Sequence, residues 1–335
     1  MAYEREKQVA IASVKEAASL CEQVRRDRSG DAIKKHDRSP VTIADFGAQA
    51  VICRAIAKAF PTDSIVAEED AALLRQPIMA QRLEQVTTYV RALVPDATNQ
   101  AVTTWIDRGK GDISSRYWTL DPIDGTKGFL RGDQYAIALA LIEAGEVKVG
   151  VLGCPALSVS TAQSDGEKGV LFVAVRGQGT TLIALKSGHS HPINAASTQN
   201  TGNFRLAESI ELGHGNPTLQ RAVAQAVGLS APPLQMDSQA KYAALACGQA
   251  ALYLRFPWIQ DPDYKENIWD HAAGAIVVEE VGGRVTDMDG KPLDFFCGVQ
   301  LVNNRGIVAS NGALHEHVLA ALRRNDLYPA TSISK

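Results

Sequence analysis

The stretch Trp118–Gly132, WTLDPIDGTKGFLRG, decides how the chain reads. Its apolar start continues from Tyr117 and predicts a buried strand, which Asp121 and Pro122 end at once because the proline ring fixes φ and forces a reversal. Asp124 follows three residues after Asp121, and Gly125-Thr126 then opens a helical turn whose first N–H groups can hold an anion. Two carboxylates on one tight turn repel each other, and two readings stand side by side. They cap Asp-Pro and Asp-Gly turns, or they hold a hard cation such as Mg²⁺, which binds through oxygens alone and shares phosphate oxygens.

Further acids bear on the choice. Glu68 leaves the predicted strand SIVA, Asp45 lies three residues after Thr42 at a capping-box helix start, and Asp270 opens WDHAAG. Each has an ordinary role of its own, Asp45 and Asp270 as acids favoured at helix N-termini and Glu68 as a solvated loop residue. Taken together they suggest one acidic site.

Outward from this stretch, helical spacing of Ala10, Val14, Ala17, Cys21 and Val24 predicts a first amphipathic helix, and a second runs from Thr42 to about Phe60. Residues 71–109 read as a peripheral insertion. YAIALALIE, VKVGVLG, VLFVAVRG and TTLIAL predict antiparallel strands, and the polar stretch 186–203 predicts a boundary between lobes 1–186 and 187–335. Beyond it, strands (FRLAES, ALYLRF, RVTDM, IVAS) alternate with helical patterns, as in an α/β lobe. RGQG at 176–179 reads as a turn, and His315 and His317, two apart on a terminal helix, face away from each other and form no metal pair.

Composition excludes several classes. The 335 residues carry 34 basic and 37 acidic side chains, a net charge of −3, so no global field advertises a nucleic-acid or membrane partner. Five scattered cysteines without a C-x-x-C pair argue against a disulfide framework or a zinc site and for a reducing, cytoplasmic setting. Neither a signal peptide nor a membrane span is expected.

DPIDGT, with upstream SPVTIAD and AEED and downstream WDHAAG in that order, resembles the inositol monophosphatase-type family of Mg²⁺-dependent, lithium-sensitive phosphatases over residues ~35–315. The resemblance implies a layered αβαβα sandwich, α/β in class, with up to three Mg²⁺ ions where two lobes meet. It implies metal ligation by Glu68, Asp121, Asp124, Asp270 and the carbonyl of Ile123, with Asp45 and Thr126 activating water and no covalent intermediate. Inhibition by Li⁺ and Na⁺ follows from the same resemblance. DSQAKYAALACG at 237–248 is similar to the lysine-bearing segment of the family's bisphosphate-nucleotide branch, and GFLRG and YLRFP point the same way. That implies removal of the 3′-phosphate from 3′-phosphoadenosine 5′-phosphate, or from its sulfated parent, by a monomeric enzyme.

A bisphosphate needs donors for the phosphate that is not cleaved. Ser238, Lys241 and Arg255 are the candidates, with Thr126 and Asp270 on the substrate side and His214 for sugar or base. Two departures from the branch, Gly215-Asn216-Pro217 and IQDPDYKEN, bear on nucleotide preference rather than on catalysis. An aspartyl-phosphate phosphatase would need its acids two apart, and here they are three apart around a proline. A non-catalytic nucleotide sensor leaves Asp45 and Thr126 without a purpose, and an inositol phosphatase is the alternative within the family.

Overall fold

The computed structural model describes residues 2–27, 32–34, 40–161, 164–194, 204–211, 216–257, 261 and 263–324. Helix α1 (Glu4–Arg26) forms where Ala10, Val14, Ala17, Cys21 and Val24 share one face, and all five are buried. Short strands β1 (Ile33–Lys34) and β2 (Pro40–Val41) pair antiparallel ahead of α2 (Ile43–Ala59). There follow β3 (Ser64–Ala67), α3 (Ala80–Arg91), α4 (Asn99–Asp107), β4 (Arg116–Asp124), α5 (Thr126–Arg131), β5 (Ala136–Glu143), β6 (Glu146–Thr161), β7 (Ser164–Val175), β8 (Thr180–Ala184) and β9 (Ser190–Ile193). Strands β3 to β9 form one sheet in chain order, with β3 and β4 parallel and each later neighbour antiparallel.

The remaining elements are β10 (Leu206–Glu208), α6 (Pro217–Ala226), β11 (Leu234–Gln235), α7 (Ala240–Ala246), β12 (Leu252–Arg255), α8 (Ala272–Glu279), β13 (Arg284–Thr286), β14 (Ile307–Ser310) and α9 (His315–Leu322). Their strands form a second, mixed sheet in the order β11-β10-β12-β14-β13. The expected αβαβα layering is present. Helices α1 and α2 cover one face of the large sheet, α7 and α8 lie between the sheets, and α6 and α9 cover the small sheet outside.

Strand β5 shows how sequence builds these layers. Ile137, Leu139 and Leu141 point into the core under α1 and α2, whereas Ala136, Ala138 and Ala140 point toward α7 and α8. Large residues fill one side and small ones admit a helix on the other. Close approach is required there, since a Cβ on Gly150 would lie 2.3 Å from Ile276 Cγ2 and one on Gly274 would lie 2.3 Å from the Tyr242 ring. Helix α8 is thereby pressed onto the sheet, and Asp270 just before it is carried to the end of β4.

Two expectations need correction. Residues 71–109 are no peripheral insertion, because Val86, Val90, Val102 and Ile106 are fully buried against α2 and Gln49 donates to the Ile106 carbonyl at 3.0 Å. The stretch 186–203 is not all connection, because β9 pairs with β8 and extends the large sheet to Ile193. RGQG does form a turn, with Gly177 and Gly179 N–H groups donating to the Glu280 carboxylate at 3.0 and 2.9 Å. Among the described residues, no helix is long and apolar enough to cross a membrane.

Candidate active site

The parallel register of β3 and β4 pairs Ala67 with Leu120, and Glu68 N–H donates to the Leu120 carbonyl at 3.1 Å, so Glu68 and Asp121 emerge side by side. Strict alternation would send Asp121 and Asp124 to opposite faces of the strand. The register against β5 shifts between them, and this bulge turns both into one site. Ile123 N–H donates to Asp121 Oδ1 at 3.1 Å and fixes the first carboxylate. Gly125 then holds φ 84°, and a side chain there would meet Ser238 Cβ at 2.9 Å, which makes glycine necessary on two counts.

Carboxylate oxygens of Asp121, Asp124 and Asp270 lie within 4.8 Å of one another. Surrounding protein and then the charges of Glu68, Asp124 and Asp270 push the Asp121 carboxyl well above its ordinary range. Asp270 is raised well above it too, chiefly by desolvation, with Asp124 and Glu68 adding to the effect against the pull of Arg255. Asp124 is also raised by desolvation, although Lys241, Arg255 and the Gln239 N–H, which donates to Oδ2 at 2.7 Å, pull it down. Crowded, mutually repelling oxygen donors of this kind fit a hard divalent cation, which replaces the missing countercharge.

Asp45 shows that its two sequence readings are compatible. Its Oδ2 accepts from Thr42 N–H at 2.7 Å and from the Thr42 hydroxyl at 2.6 Å, completing the cap of α2. Its Oδ1 accepts from the Thr126 hydroxyl at 3.3 Å. That hydroxyl also lies 3.2 Å from the Ile123 carbonyl, whose second lone pair leaves it able to accept again.

A cavity of about 470 Å³ opens over these groups. Glu68, Asp124, Thr126 and Asp270 line it together with Ser238, Lys241 and Arg255. Lys241 is buried, with its ammonium over the Tyr253 ring at 5.2 Å, and burial lowers its pKa to about 8 despite the nearby Asp124. Arg255 Nε donates to Glu266 Oε1 at 2.8 Å. Glu266 Oε2 faces His271 Nε2 at 3.4 Å, and His271 Nδ1 pairs with the Tyr242 hydroxyl at 2.8 Å. Burial opposes ionisation of Glu266, yet Arg255 and His271 together hold it down at about 2.

Every expected ligand and anchor is in this region except His214, which lies outside the described residues. Gln239, Glu266 and His271 were not expected. His271 lay unread inside WDHAAG, and Glu266 stood in an acidic loop where nothing in the sequence separates a buried acid from a solvated one. Gln239 gave no signal of its own.

A model of the inositol monophosphatase family matches residues 2–327. Curated relatives include a 3′(2′),5′-bisphosphate nucleotidase of Emericella nidulans, 40% identical over 97% of this chain and 99% of its own length. Another, from Schizosaccharomyces pombe, is 42% identical over 96% of each. Among solved structures, Thermotoga maritima IMPase superposes with a TM-score of 0.62 at 22% identity, covering 95% of this chain and 96% of its own. CysQ from Bacteroides thetaiotaomicron gives 0.58 at 19%, covering 92% and 98%. At such identities the structural likeness speaks for the fold.

Proposed function

The chain belongs to the inositol monophosphatase family, and from that premise we propose how its site carries out a 3′(2′),5′-bisphosphate nucleotidase reaction. The protein hydrolyses 3′-phosphoadenosine 5′-phosphate to AMP and phosphate. The observation that carries the residue assignments is the convergence of Asp121, Asp124 and Asp270 at a cavity that Lys241 and Arg255 also line.

Glu68, Asp121, Asp124 and Asp270, with the Ile123 carbonyl, are the residues that would hold Mg²⁺. Bound there, the ion supplies a lowered pKa for water and neutralises charge on the phosphoryl and leaving oxygens. Asp45 and Thr126 orient the attacking water, and the Asp45–Thr126 pair takes its proton. Asp45 suits this task because Thr42 fixes one of its oxygens while the other faces the Thr126 hydroxyl. No side chain is needed as a nucleophile.

In the same cavity Ser238, Lys241 and Arg255 receive the phosphate that stays on the nucleotide. Glu266 binds the Nε of Arg255, and Tyr253 and Tyr264 hydrogen-bond the same guanidinium, which holds it at the cavity wall where a phosphate would dock. A buried ammonium or guanidinium contact of this kind is the interaction that separates a bisphosphate from a monophosphate.

Phosphate release from the bisphosphate nucleotide, its sulfated parent, an inositol monophosphate and fructose 1,6-bisphosphate, each with and without Mg²⁺, tests the reading. Release from the bisphosphate should dominate and require the metal. Tight binding without release would favour a sensor, and faster release from the inositol ester would overturn the substrate assignment.

A further inference from the structure

We propose that Gln239 is a positioning residue that locks the substrate-binding segment to both halves of the acidic cluster. Its side chain is 2% exposed and spans two segments that are remote in sequence. Nε2 donates to the Trp269 carbonyl at 2.8 Å, and Oε1 accepts from Gly274 N–H at 3.0 Å. Its own backbone N–H donates to Asp124 Oδ2 at 2.7 Å. One residue therefore touches an acid at the end of β4, the carbonyl next to Asp270 and the first turn of α8.

The chemistry of this bridge calls for a primary amide. A carboxylate offers no donor to the Trp269 carbonyl, and an apolar side chain leaves a buried carbonyl and a buried N–H unpaired. The opposite orientation of the amide would set donor against donor and acceptor against acceptor, so only one orientation fits.

A second observation points the same way. Ser238, the preceding residue, is held at φ 69°, and Gly125 leaves space for it that any Cβ would close. A backbone held in that region persists where its surroundings over-determine it. Ser238 immediately precedes Gln239 and Lys241 follows it by two residues, and both line the cavity. The phosphate anchors and the acids that face them are thus fixed in one frame.

The inference rests on the reading of these acids as metal ligands, and the test separates the two. Mg²⁺ is titrated calorimetrically into metal-free wild-type, Q239E and Q239M protein, and kcat and KM are measured in parallel, per folded molecule by near-UV circular dichroism. Both variants should bind Mg²⁺ about 10-fold or more weakly, the usual cost of losing a group that orients ligands, and kcat should fall alongside. KM for the bisphosphate should change far less. Variants that unfold more easily yet keep wild-type Mg²⁺ affinity and kcat would overturn the proposal and leave Gln239 as packing. If Q239M does not fold, Q239E decides, since it keeps the length and the acceptor for Gly274. If the wild type binds no Mg²⁺, the ligand reading itself has failed and takes the proposal with it.

Discussion

Two carboxylate-rich regions lie next to each other in this molecule and differ in how their charge is met. At the ends of β3 and β4 and ahead of α8, Glu68, Asp121, Asp124 and Asp270 face one another, and Asp121, Asp124 and Asp270 have carboxyls raised above their ordinary range. A few residues away, Glu266 is buried too yet ionises freely, because Arg255 and His271 bond both of its oxygens. Burial is common to both, and compensation separates them. Where the protein supplies its own cation the group is structural; where it withholds one, the site stores a demand that an external cation meets.

The comparison breaks if neutralising a carboxylate has the same effect in both regions. Asp121→Asn should cost about 10³-fold or more in kcat, the scale of several kcal/mol that a bound metal supplies. In the metal-free protein at neutral pH the same change should raise stability, because a neutral amide escapes the penalty that burial and the neighbouring acids place on ionising Asp121. Glu266→Gln should do the reverse. It leaves Arg255 buried without its counterion, and urea unfolding should report a loss of about 3 kcal/mol. Glu266 also sets a pH window. Its folded pKa lies below its unfolded value of 4.5, so its stabilisation is complete above pH 4.5 and is lost as pH falls toward about 2. The variant should lack that slope.

A smaller effect sharpens the contrast from the substrate side. Lys241→Ala should lower kcat/KM for the bisphosphate by roughly 10- to 100-fold, in line with loss of one hydrogen bond to a charged group, and should barely affect a 3′-monophosphate. In the wild type, KM for the bisphosphate should rise as pH passes about 8, where Lys241 gives up its proton. Equal losses on the two substrates would remove Lys241 as an anchor.

Much of this was legible before any coordinates. Periodicity gave the helices and strands that flank the site, because α1 and β5 follow the spacing their layers impose. Asp45, Glu68, Asp121, Asp124 and Asp270 were each visible as acids at strand exits and helix starts, and the structure brings Asp121, Asp124 and Asp270 together. His315, on the terminal helix, is buried with Thr286 and Ser310 as partners. The bulge between Asp121 and Asp124 was not legible, because register is fixed by pairing with β5, about 15 residues further on. Nor were Gln239 and Glu266. Their partners lie 5 to 115 residues away, and a polar side chain carries no mark of being buried. Strand β9 was lost for a similar reason, since SHPI is half exposed and takes its conformation from β8.

The central claim is that repulsion among buried acids is relieved by a divalent cation. Calorimetric titration of Mg²⁺ into the metal-free protein at pH 7, repeated in two buffers of different ionisation enthalpy, tests it most directly. Saturable binding is expected, with protons released rather than taken up wherever the heat depends on the buffer, because an entering cation favours the ionised form of the raised carboxyls of Asp121 and Asp270, and Asp121→Asn should weaken the binding. Absence of binding, or binding that Asp121→Asn leaves unchanged, would contradict it.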